Sequence, residues 1–301
     1  VLFTVGFVGN VLNFLVFQRL GFHDTVNISM TALTLADLGS LVLVLWKNIC
    51  YFPPFFKSDL PFVPWDIESV MGGWPRICLI RIAAMITAYV TLERCLCITL
   101  PLKVKAVLTP KRVTCILLSI VLIMVISVAP LLLETRFVFK FYSFSNKTLL
   151  AVSYTDKWEQ TENTMLAFST LYNLISFISI AIFTAILVRQ LNINTKWPQA
   201  PACVGKLQTK SSKKERKASK MVTLISTLFI VCFFPGTVSL VCSMTSAEFR
   251  PGGTYFYVTT DTILASQILE TINASSNMFI YVRMSSKFRK EFIRLLCGRQ
   301  K

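Results

Sequence analysis

The chain has 301 residues, of which 54% are hydrophobic and only 15% are charged, and its formal net charge is +16. Soluble domains carry roughly 25% charged residues, so this composition excludes an ordinary soluble protein and indicates a membrane protein. The positive charge does not indicate a nucleic-acid partner. Most lysines and arginines fall in connections on one side of the predicted membrane, and no apolar periodicity remains for a soluble nucleic-acid-binding module.

Seven apolar segments are each long enough for a transmembrane helix, which needs roughly 20 mostly apolar residues. Cytoplasmic loops carry an excess of lysine and arginine, so the basic connections place the C-terminus in the cytoplasm. We therefore predict an all-α membrane protein of the plasma membrane: a seven-transmembrane helix bundle that forms one domain over residues 1–301 and is followed by a short amphipathic cytoplasmic helix. The predicted transmembrane helices are 1–19, 26–46, 68–99, 111–133, 162–190, 217–243 and 257–282.

The second and third helices contain charged residues, which are expensive in a membrane and usually functional. Asp37 lies in the middle of the second helix, where an isolated carboxylate is costly without partners. Arg76 and Arg81 lie in the outer half of the third helix, and Glu93 and Arg94 stand near its cytoplasmic end. Arg76 precedes Arg94 by about five full turns, so both arginines point to the same side of the helix.

The sixth and seventh helices contain a predicted hinge and a predicted polar face. Two phenylalanines precede Pro235 in the sixth helix, and proline kinks a helix because it removes one backbone hydrogen bond. In the seventh helix, Glu270, Asn277 and Tyr281 have a spacing that places them on one face. We interpret Pro235 and the two phenylalanines before it as a hinge at which the sixth helix swings.

Two covalent modifications are predicted, one on each side of the membrane. The outer connection at 134–161 is predicted to be a polar loop, and its sequon predicts N-glycosylation at Asn146. On the cytoplasmic side, residues 285–296 have the pattern of an amphipathic helix that lies in the membrane interface and contacts lipid. Cys297, just beyond this helix, is a candidate palmitoylation site.

Five short motifs occur in the order, and on the helices, in which rhodopsin-like (class A) G-protein-coupled receptors carry theirs. They are Gly9-Asn10, Leu33-Thr34-Leu35-Ala36-Asp37, Glu93-Arg94-Cys95, Cys232-Phe233-Phe234-Pro235 and Asn277-Met278-Phe279-Ile280-Tyr281. Any one of them is a weak signal, but five in order are specific. The chain therefore resembles this family over essentially its whole length, and the run from Glu93 to Lys105 is similar to divergent invertebrate peptide and chemosensory-type members.

The resemblance implies an activation mechanism. Arg94 would hold the inactive state by pairing with Glu93 and with Glu215 at the foot of the sixth helix, the pair known as the ionic lock. An agonist would swing the sixth helix outward at Pro235 and open a cytoplasmic cleft for a heterotrimeric G protein. The residues of this implied switch are Glu93, Arg94, Glu215, Pro235, Asn277 and Tyr281.

The resemblance also implies a sodium site. Asp37, Asn273 and Asn277 resemble the polar cluster that holds sodium in this family. Ala83, however, stands at a position where the family often has serine. Metal binding at this cluster is therefore an expectation, and no other cofactor is predicted.

Some positions depart from the family pattern. Ser69 stands where the third helix usually has its cysteine, and the outer loop contains no cysteine either, so the family's disulfide is absent at both ends. Phe233 replaces a tryptophan and Met278 replaces a proline. These departures imply a divergent receptor with a looser outer loop.

The ligand is predicted from the outer half of the third helix. Arg76 stands five turns above Arg94, where amine receptors place an aspartate, so it would repel an amine. Together with Arg81 it favours a carboxylate or another acidic group through charge-assisted hydrogen bonds. Phe233, Phe234 and Glu270 complete the predicted binding site, and Glu270 is the candidate to neutralise one of the arginines. The expected ligand is an extracellular peptide or an acidic small molecule.

Other functional classes are less well supported. A membrane transporter or channel with a seven-helix core is the alternative, although the repeated halves with broken helices that are common in transporters are not found. A retinal protein needs a lysine in the seventh helix, and residues 251–282 contain none. Catalysis is not expected, because the only histidine, His23, lies in a turn and leaves no basis for histidine zinc sites or catalytic triads.

Overall fold

The computed structural model describes residues 2–100, 104, 108–142, 146–196, 206–250 and 252–297, and for 194–196 and 206–215 it describes the backbone alone. In this part of the chain seven long helices, α1 to α7, are followed by one short helix, α8. They are α1 Leu2–Leu20, α2 Thr25–Cys50, α3 Pro64–Thr99, α4 Pro110–Leu133, α5 Trp158–Lys196, α6 Lys206–Thr245, α7 Phe256–Met284 and α8 Ser286–Leu296. A one-turn helix, Pro53–Phe56, lies between α2 and α3.

The seven-helix bundle agrees with the predicted fold class. Among the described residues, six helices, all within α1 to α6, are long and apolar enough to cross a membrane. The seventh, α7, is 29 residues long and packs against α6 and α1. Its polar residues, including Thr271, Asn273 and Asn277, are buried, so they lower the hydropathy of the helix without facing lipid. The chain is therefore a multi-pass membrane protein.

Several helices extend beyond the apolar segments that predicted them. The fifth was expected over 162–190 and spans Trp158–Lys196. The sixth was expected from 217 and begins at Lys206. Hydropathy marks only the part of a helix that fits lipid, whereas lysine, glutamine and glutamate are good helix formers that continue the helix into water.

The third helix is interrupted near its beginning. A π-helical turn, Ser69–Gly73, lies between the α-helical parts Pro64–Glu68 and Trp74–Thr99. Such turns insert one extra residue into a helix and are frequent at functional sites. A side chain at Gly72 would meet the Trp46 ring at 2.9 Å, so the absence of a side chain here lets α3 approach α2 closely.

The outer connection is an ordered hairpin, which corrects the prediction of a looser loop. Strands β1, Thr135–Tyr142, and β2, Lys147–Tyr154, pair antiparallel over their whole length. The sequence of β1 is rich in phenylalanine and valine, which favour strands. Asn146 next to the turn has a positive φ of 50°, a conformation that asparagine tolerates better than most residues.

The two ends of the bundle differ in what closes them. The hairpin closes one end, which we call the hairpin face, and α8 lies at the other end, which we call the α8 face. There the ring of Phe288 is 1% exposed and packs against Phe17 of α1 and Tyr281 of α7, with ring centroids 5.1 and 5.5 Å away. Ser285 caps α8 by accepting a hydrogen bond from the Phe288 N–H. This aromatic cluster attaches α8 to the bundle.

Candidate functional site

A cavity of about 510 Å³ lies inside the bundle near the hairpin face. Its volume is within the range of about 300–1,000 Å³ that is typical of small-molecule sites. Aromatic side chains contribute to its wall, among them Trp74, Trp158 and Phe233. Six charged residues also line it: Lys47, Glu68, Arg76, Arg81, Glu162 and Glu270.

Arg76 and Glu270 form an ion pair in the cavity wall. The Arg76 Nη2 to Glu270 Oε2 distance is 2.5 Å, and the two side chains are 9% and 20% exposed. The sequence left open whether Glu270 neutralises Arg76 or Arg81, and the geometry selects Arg76. The pair joins α3 to α7 and cancels the charge of Arg76, so this arginine alone gives the cavity no net positive charge.

Arg81 has a different environment. Its Nε donates a hydrogen bond to Ser169 Oγ of α5 at 3.1 Å. Among the described residues, no carboxylate lies within ion-pair distance of its guanidinium group. Arg81 therefore presents its charge to the cavity with a neutral hydrogen-bond partner and no carboxylate in direct contact, while Glu270, which is paired with Arg76, acts on it at longer range.

The two phenylalanines before Pro235 point in different directions. Phe233 is 7% exposed, lines the cavity and stacks on Phe229 with ring centroids 4.0 Å apart. Phe234 is 56% exposed on the outside of the bundle, near Phe177, and is not part of the cavity wall. The structure thus places only Phe233 at the predicted binding site.

The hairpin contributes Tyr154 to the cavity wall and is attached to the segment that leads into α3 and to the first turn of this helix. The Val63 N–H donates to the Leu150 carbonyl at 2.9 Å, and the Leu150 N–H donates to the Pro61 carbonyl at 2.9 Å. The Asp66 carboxylate accepts the Val152 N–H at 3.0 Å. These bonds join the hairpin to the same region of α3 at which the family has its disulfide.

Ser69, which replaces the family's cysteine, also contacts the hairpin. Its hydroxyl lies 3.5 Å from the Tyr154 hydroxyl, at the limit of hydrogen bonding. Tyr154 packs on Trp158 with ring centroids 4.2 Å apart, and all three residues line the cavity. Sequence reasoning missed Tyr154 and Trp158 as site residues, because their place depends on how the hairpin folds back over the bundle.

A second, much smaller cavity of about 10 Å³ lies deeper in the bundle, beside Asp37 and Asn273. Asn277 donates a hydrogen bond to the Asp37 carboxylate at 2.7 Å. The side-chain carbonyl oxygens of Asn273 and Asn277 are buried without a hydrogen-bond donor among the described residues. Such oxygen ligands suit a small hard cation, and the space is about that of one water molecule. Asp37, Asn273 and Asn277 therefore supply oxygen ligands of the kind that the implied sodium site needs. Arg76 also lines this cavity, and Ala83 contributes no side-chain oxygen.

The predicted hinge lies at the level of the cavity, because Phe233 and Gly236 on either side of Pro235 line the cavity wall. Pro235 is inside α6, where it leaves one backbone carbonyl without its usual partner. Two residues nearer the hairpin face, Thr237 donates to the Phe233 carbonyl at 2.9 Å and accepts from Asn173 of α5 at 3.0 Å. This connection fixes the outer part of α6 to α5, so movement at Pro235 would displace the inner part.

Glu93 and Arg94 form a buried ion pair near the α8 face, and both are at most 3% exposed. The Thr25 hydroxyl, at the first residue of α2, donates to Glu93 Oε1 at 2.6 Å. Glu93 thus connects Arg94 to α2. The side chain of Glu215, the other predicted partner, lies outside the described residues, so the ionic lock with α6 remains a prediction.

The other predicted residues lie near or beyond the α8 face and at the hairpin tip. Tyr281 is 1% exposed and its hydroxyl donates to Met30 Sδ at 3.4 Å. Cys297 follows α8 and is exposed, and Asn146 is exposed beside the hairpin turn. Both modification sites are accessible, at opposite ends of the molecule.

Comparisons with known proteins agree on one class. The family profile described as "Serpentine type 7TM GPCR chemoreceptor Srw" matches residues 1–299. The chain is 23% identical over 303 residues to the QRFP-like peptide receptor of Branchiostoma floridae, covering 98% of this chain and 75% of the relative. It is 24% identical to the allatostatin-A receptor of Bombyx mori, covering 97% and 76%. It is 25% identical over 313 residues to the growth hormone secretagogue receptor type 1 of Homo sapiens, covering 98% and 78%.

Proposed function

The chain belongs to the serpentine type 7TM GPCR chemoreceptor Srw family, and on this premise we propose that it binds an extracellular ligand in the cavity near the hairpin face and activates a heterotrimeric G protein at the α8 face. Family membership agrees with the resemblance to rhodopsin-like receptors, and makes the chain a G-protein-coupled receptor. The proposal adds the ligand site, the direction of signalling and the switch.

The observation that carries the proposal is that one helix connects two charged sites. Arg76 and Arg81 of α3 line the 510 Å³ cavity, and Glu93 and Arg94 form the buried pair near the other end of the same helix. A ligand that binds the active conformation better than the inactive one shifts the population toward it. Through α3, and through α6 with Pro235, such a shift would reach the G-protein side.

The orientation follows from the charged connections and the hairpin. The hairpin face would be extracellular, with Asn146 glycosylated, and the α8 face would be cytoplasmic, with Cys297 palmitoylated at the membrane surface. The receptor would then act in the plasma membrane with its C-terminus in the cytoplasm. If this orientation is correct, the N146Q variant loses a glycosidase-sensitive mass shift. A wild-type protein that shows no such shift would count against it.

The switch would operate by release of Arg94. In the inactive state Arg94 would pair with Glu93 and with Glu215 of α6, and agonist would move α6 outward about Pro235. The buried hydrogen bond from Asn277 to Asp37 and the buried Tyr281 would rearrange in the same transition, with a sodium ion at Asp37, Asn273 and Asn277 favouring the inactive state. Constitutive signalling from Glu215→Ala would support the lock.

The ligand would be a peptide or an acidic small molecule. The names of two relatives, the QRFP-like peptide receptor and the growth hormone secretagogue receptor, support an extracellular messenger of the peptide class. The arginines in the cavity wall support an acidic group.

A ligand screen with a G-protein activation readout tests the proposal. Acids and peptides are applied to cells that express the receptor, and Arg94→Ala serves as the control that removes coupling but leaves the cavity intact. We expect at least one ligand to activate the wild type and not Arg94→Ala. Ligand-driven solute flux without G-protein activation would instead indicate a transporter or channel.

A further inference from the structure

We propose that Arg81, and not Arg76, is the residue that binds the acidic group of the ligand. The inference rests on the proposed function, because it deepens the description of the same cavity. It also assigns the ligand a chemical class: a carboxylate attached to an apolar or aromatic body, either a small carboxylic acid or the free C-terminus of a peptide.

On the side of the cavity that α2, α3 and α7 form, the charges of the side chains cancel. Arg76 is paired with Glu270 at 2.5 Å. Lys47 donates to Gln267 at 3.2 Å and interacts electrostatically with Glu68. Two cations and two carboxylates thus lie together on these three helices. This group has no net charge and holds the three helices together without a ligand.

Arg81, on the α5 side of the cavity, has no carboxylate in contact among the described residues. Its hydrogen bond to Ser169 is neutral. Glu270 acts on Arg81 electrostatically at longer range, but it is already paired with Arg76. Glu162 of α5 also lines the cavity, but it lies two helical turns from Ser169, roughly 10 Å along the axis. A half-buried guanidinium group without a carboxylate in contact is costly, since the free energy of removing a charge from water is offset best by a partner of opposite sign in direct contact.

The space around Arg81 combines a charged hydrogen-bond donor with aromatic rings. Its guanidinium group offers several donors in a planar fork that matches a carboxylate, and the cavity that it lines holds the rings of Trp74, Trp158 and Phe233. A carboxylate ligand would supply this direct contact of opposite charge while its apolar part lies against these rings. Arg76 cannot act in the same way, because its partner is already in place.

Thermal unfolding of the purified, ligand-free receptor in detergent tests the charge assignment. Arg81→Met should raise the midpoint temperature, or leave it unchanged, because it removes a charge that has no carboxylate in contact. Arg76→Met should lower it, because the largely buried Glu270 loses the guanidinium group that contacts it, and the double variant Arg76→Met/Glu270→Gln should recover most of the loss. If Arg81→Met lowers the midpoint as much as Arg76→Met does, Arg81 is a structural residue and the inference fails.

Binding of two defined probes tests the ligand class. The first is 3-phenylpropanoate, with 3-phenylpropanamide as its neutral control. The second is N-acetylglycyl-phenylalanine, with its C-terminal amide as the control. We expect one or both acids, and neither amide, to raise the midpoint of the wild type and of Arg76→Met/Glu270→Gln. Because a hydrogen bond to a charged group contributes about 1.5–3 kcal/mol, Arg81→Met should weaken binding by about tenfold or more. The affinity of Arg81→Lys should lie between those of the wild type and Arg81→Met.

The outcomes separate this inference from the proposed function. Stabilisation by the small acid alone, or by the peptide acid, identifies the source of the carboxylate. If neither acid binds, or if binding survives Arg81→Met, the inference is overturned whether or not the protein activates a G protein. Acid binding through Arg81 without any G-protein activation would support the inference and contradict the signalling proposal.

Discussion

The two ends of α3 each hold an arginine paired with a glutamate, but the pairs are built differently. At the hairpin end, Arg76 pairs with Glu270, which is 194 residues away in the chain and on another helix. At the α8 end, Arg94 pairs with its neighbour Glu93, and Thr25 of α2 joins them from outside. The Glu93–Arg94 pair is fully buried and the Arg76–Glu270 pair is largely buried, so each side chain depends on its partner.

This difference shows how a single helix can be fixed at one end and free to switch at the other. A pair between distant helices holds those helices together, and breaking it exposes a buried charge on each. A pair between neighbouring residues ties no two helices together, so it can break or form again without separating the bundle. The hairpin end is therefore built for a stable cavity, whereas at the α8 end the connections that change are those from Glu93 and Arg94 to other helices.

The largest expected effect breaks the pair at the hairpin end. Arg76→Met should lower the free energy of unfolding by about 3–5 kcal/mol, because removal of one partner leaves the other charge buried. Thermal unfolding in detergent measures it, with Arg76→Met/Glu270→Gln as the matched control. A single variant as stable as the wild type would mean that the pair does not hold α3 to α7.

The next effect concerns the neighbour pair at the α8 end. Glu93→Gln keeps the hydrogen-bond acceptor but removes the charge, so we expect a loss of stability of about 2–3 kcal/mol. We also expect raised basal G-protein activation, because Arg94 is released. Glu162→Gln, which alters a carboxylate far from this pair, is the control. Basal activity equal to that of the wild type would contradict a role for Glu93 in the inactive state.

A smaller effect is expected where the hairpin joins α3. Asp66→Ala leaves the buried Val152 N–H without an acceptor, at a cost of about 1–2 kcal/mol. Hydrogen exchange measured by mass spectrometry should show faster exchange in β2, while α8 stays protected. Asp66→Asn, which retains an acceptor oxygen, should exchange like the wild type. Equal exchange in the wild type and Asp66→Ala would show that the other hairpin bonds suffice.

The smallest effect sharpens the comparison at the α8 end. Thr25→Val removes one hydrogen bond to Glu93 and should cost about 1 kcal/mol, with a smaller rise in basal signalling than Glu93→Gln gives. Thr25→Ser keeps the hydroxyl and should behave like the wild type. A rise in signalling from Thr25→Ser as large as that from Thr25→Val would show that the hydroxyl is not the relevant group.

The predictability of the site differed from residue to residue. The spacing in the third and seventh helices correctly predicted that Arg76 and Glu270 carry charge inside the bundle, but it left open which arginine Glu270 neutralises. Phe233 and Phe234 are adjacent in the sequence, and both were expected in the binding site. Adjacent residues of a helix point about 100° apart, and only one of them faces the cavity. The hairpin was expected to be a looser loop because the family's disulfide is absent, but backbone and Asp66 hydrogen bonds attach it to the start of the third helix.

The sequence by itself determined the class of the molecule. Seven apolar segments predict a membrane bundle because a bilayer accepts few other structures, and five ordered motifs indicate the receptor family. The tertiary structure alone decided which charges are paired, which phenylalanine faces the cavity and how the hairpin is attached without a disulfide. Helical spacing determines which residues share a face, but the partner of that face depends on how neighbouring helices are rotated and displaced. Arg76 and Arg81, one helical turn and a half apart, therefore acquire different roles only when α7 and α5 are in place.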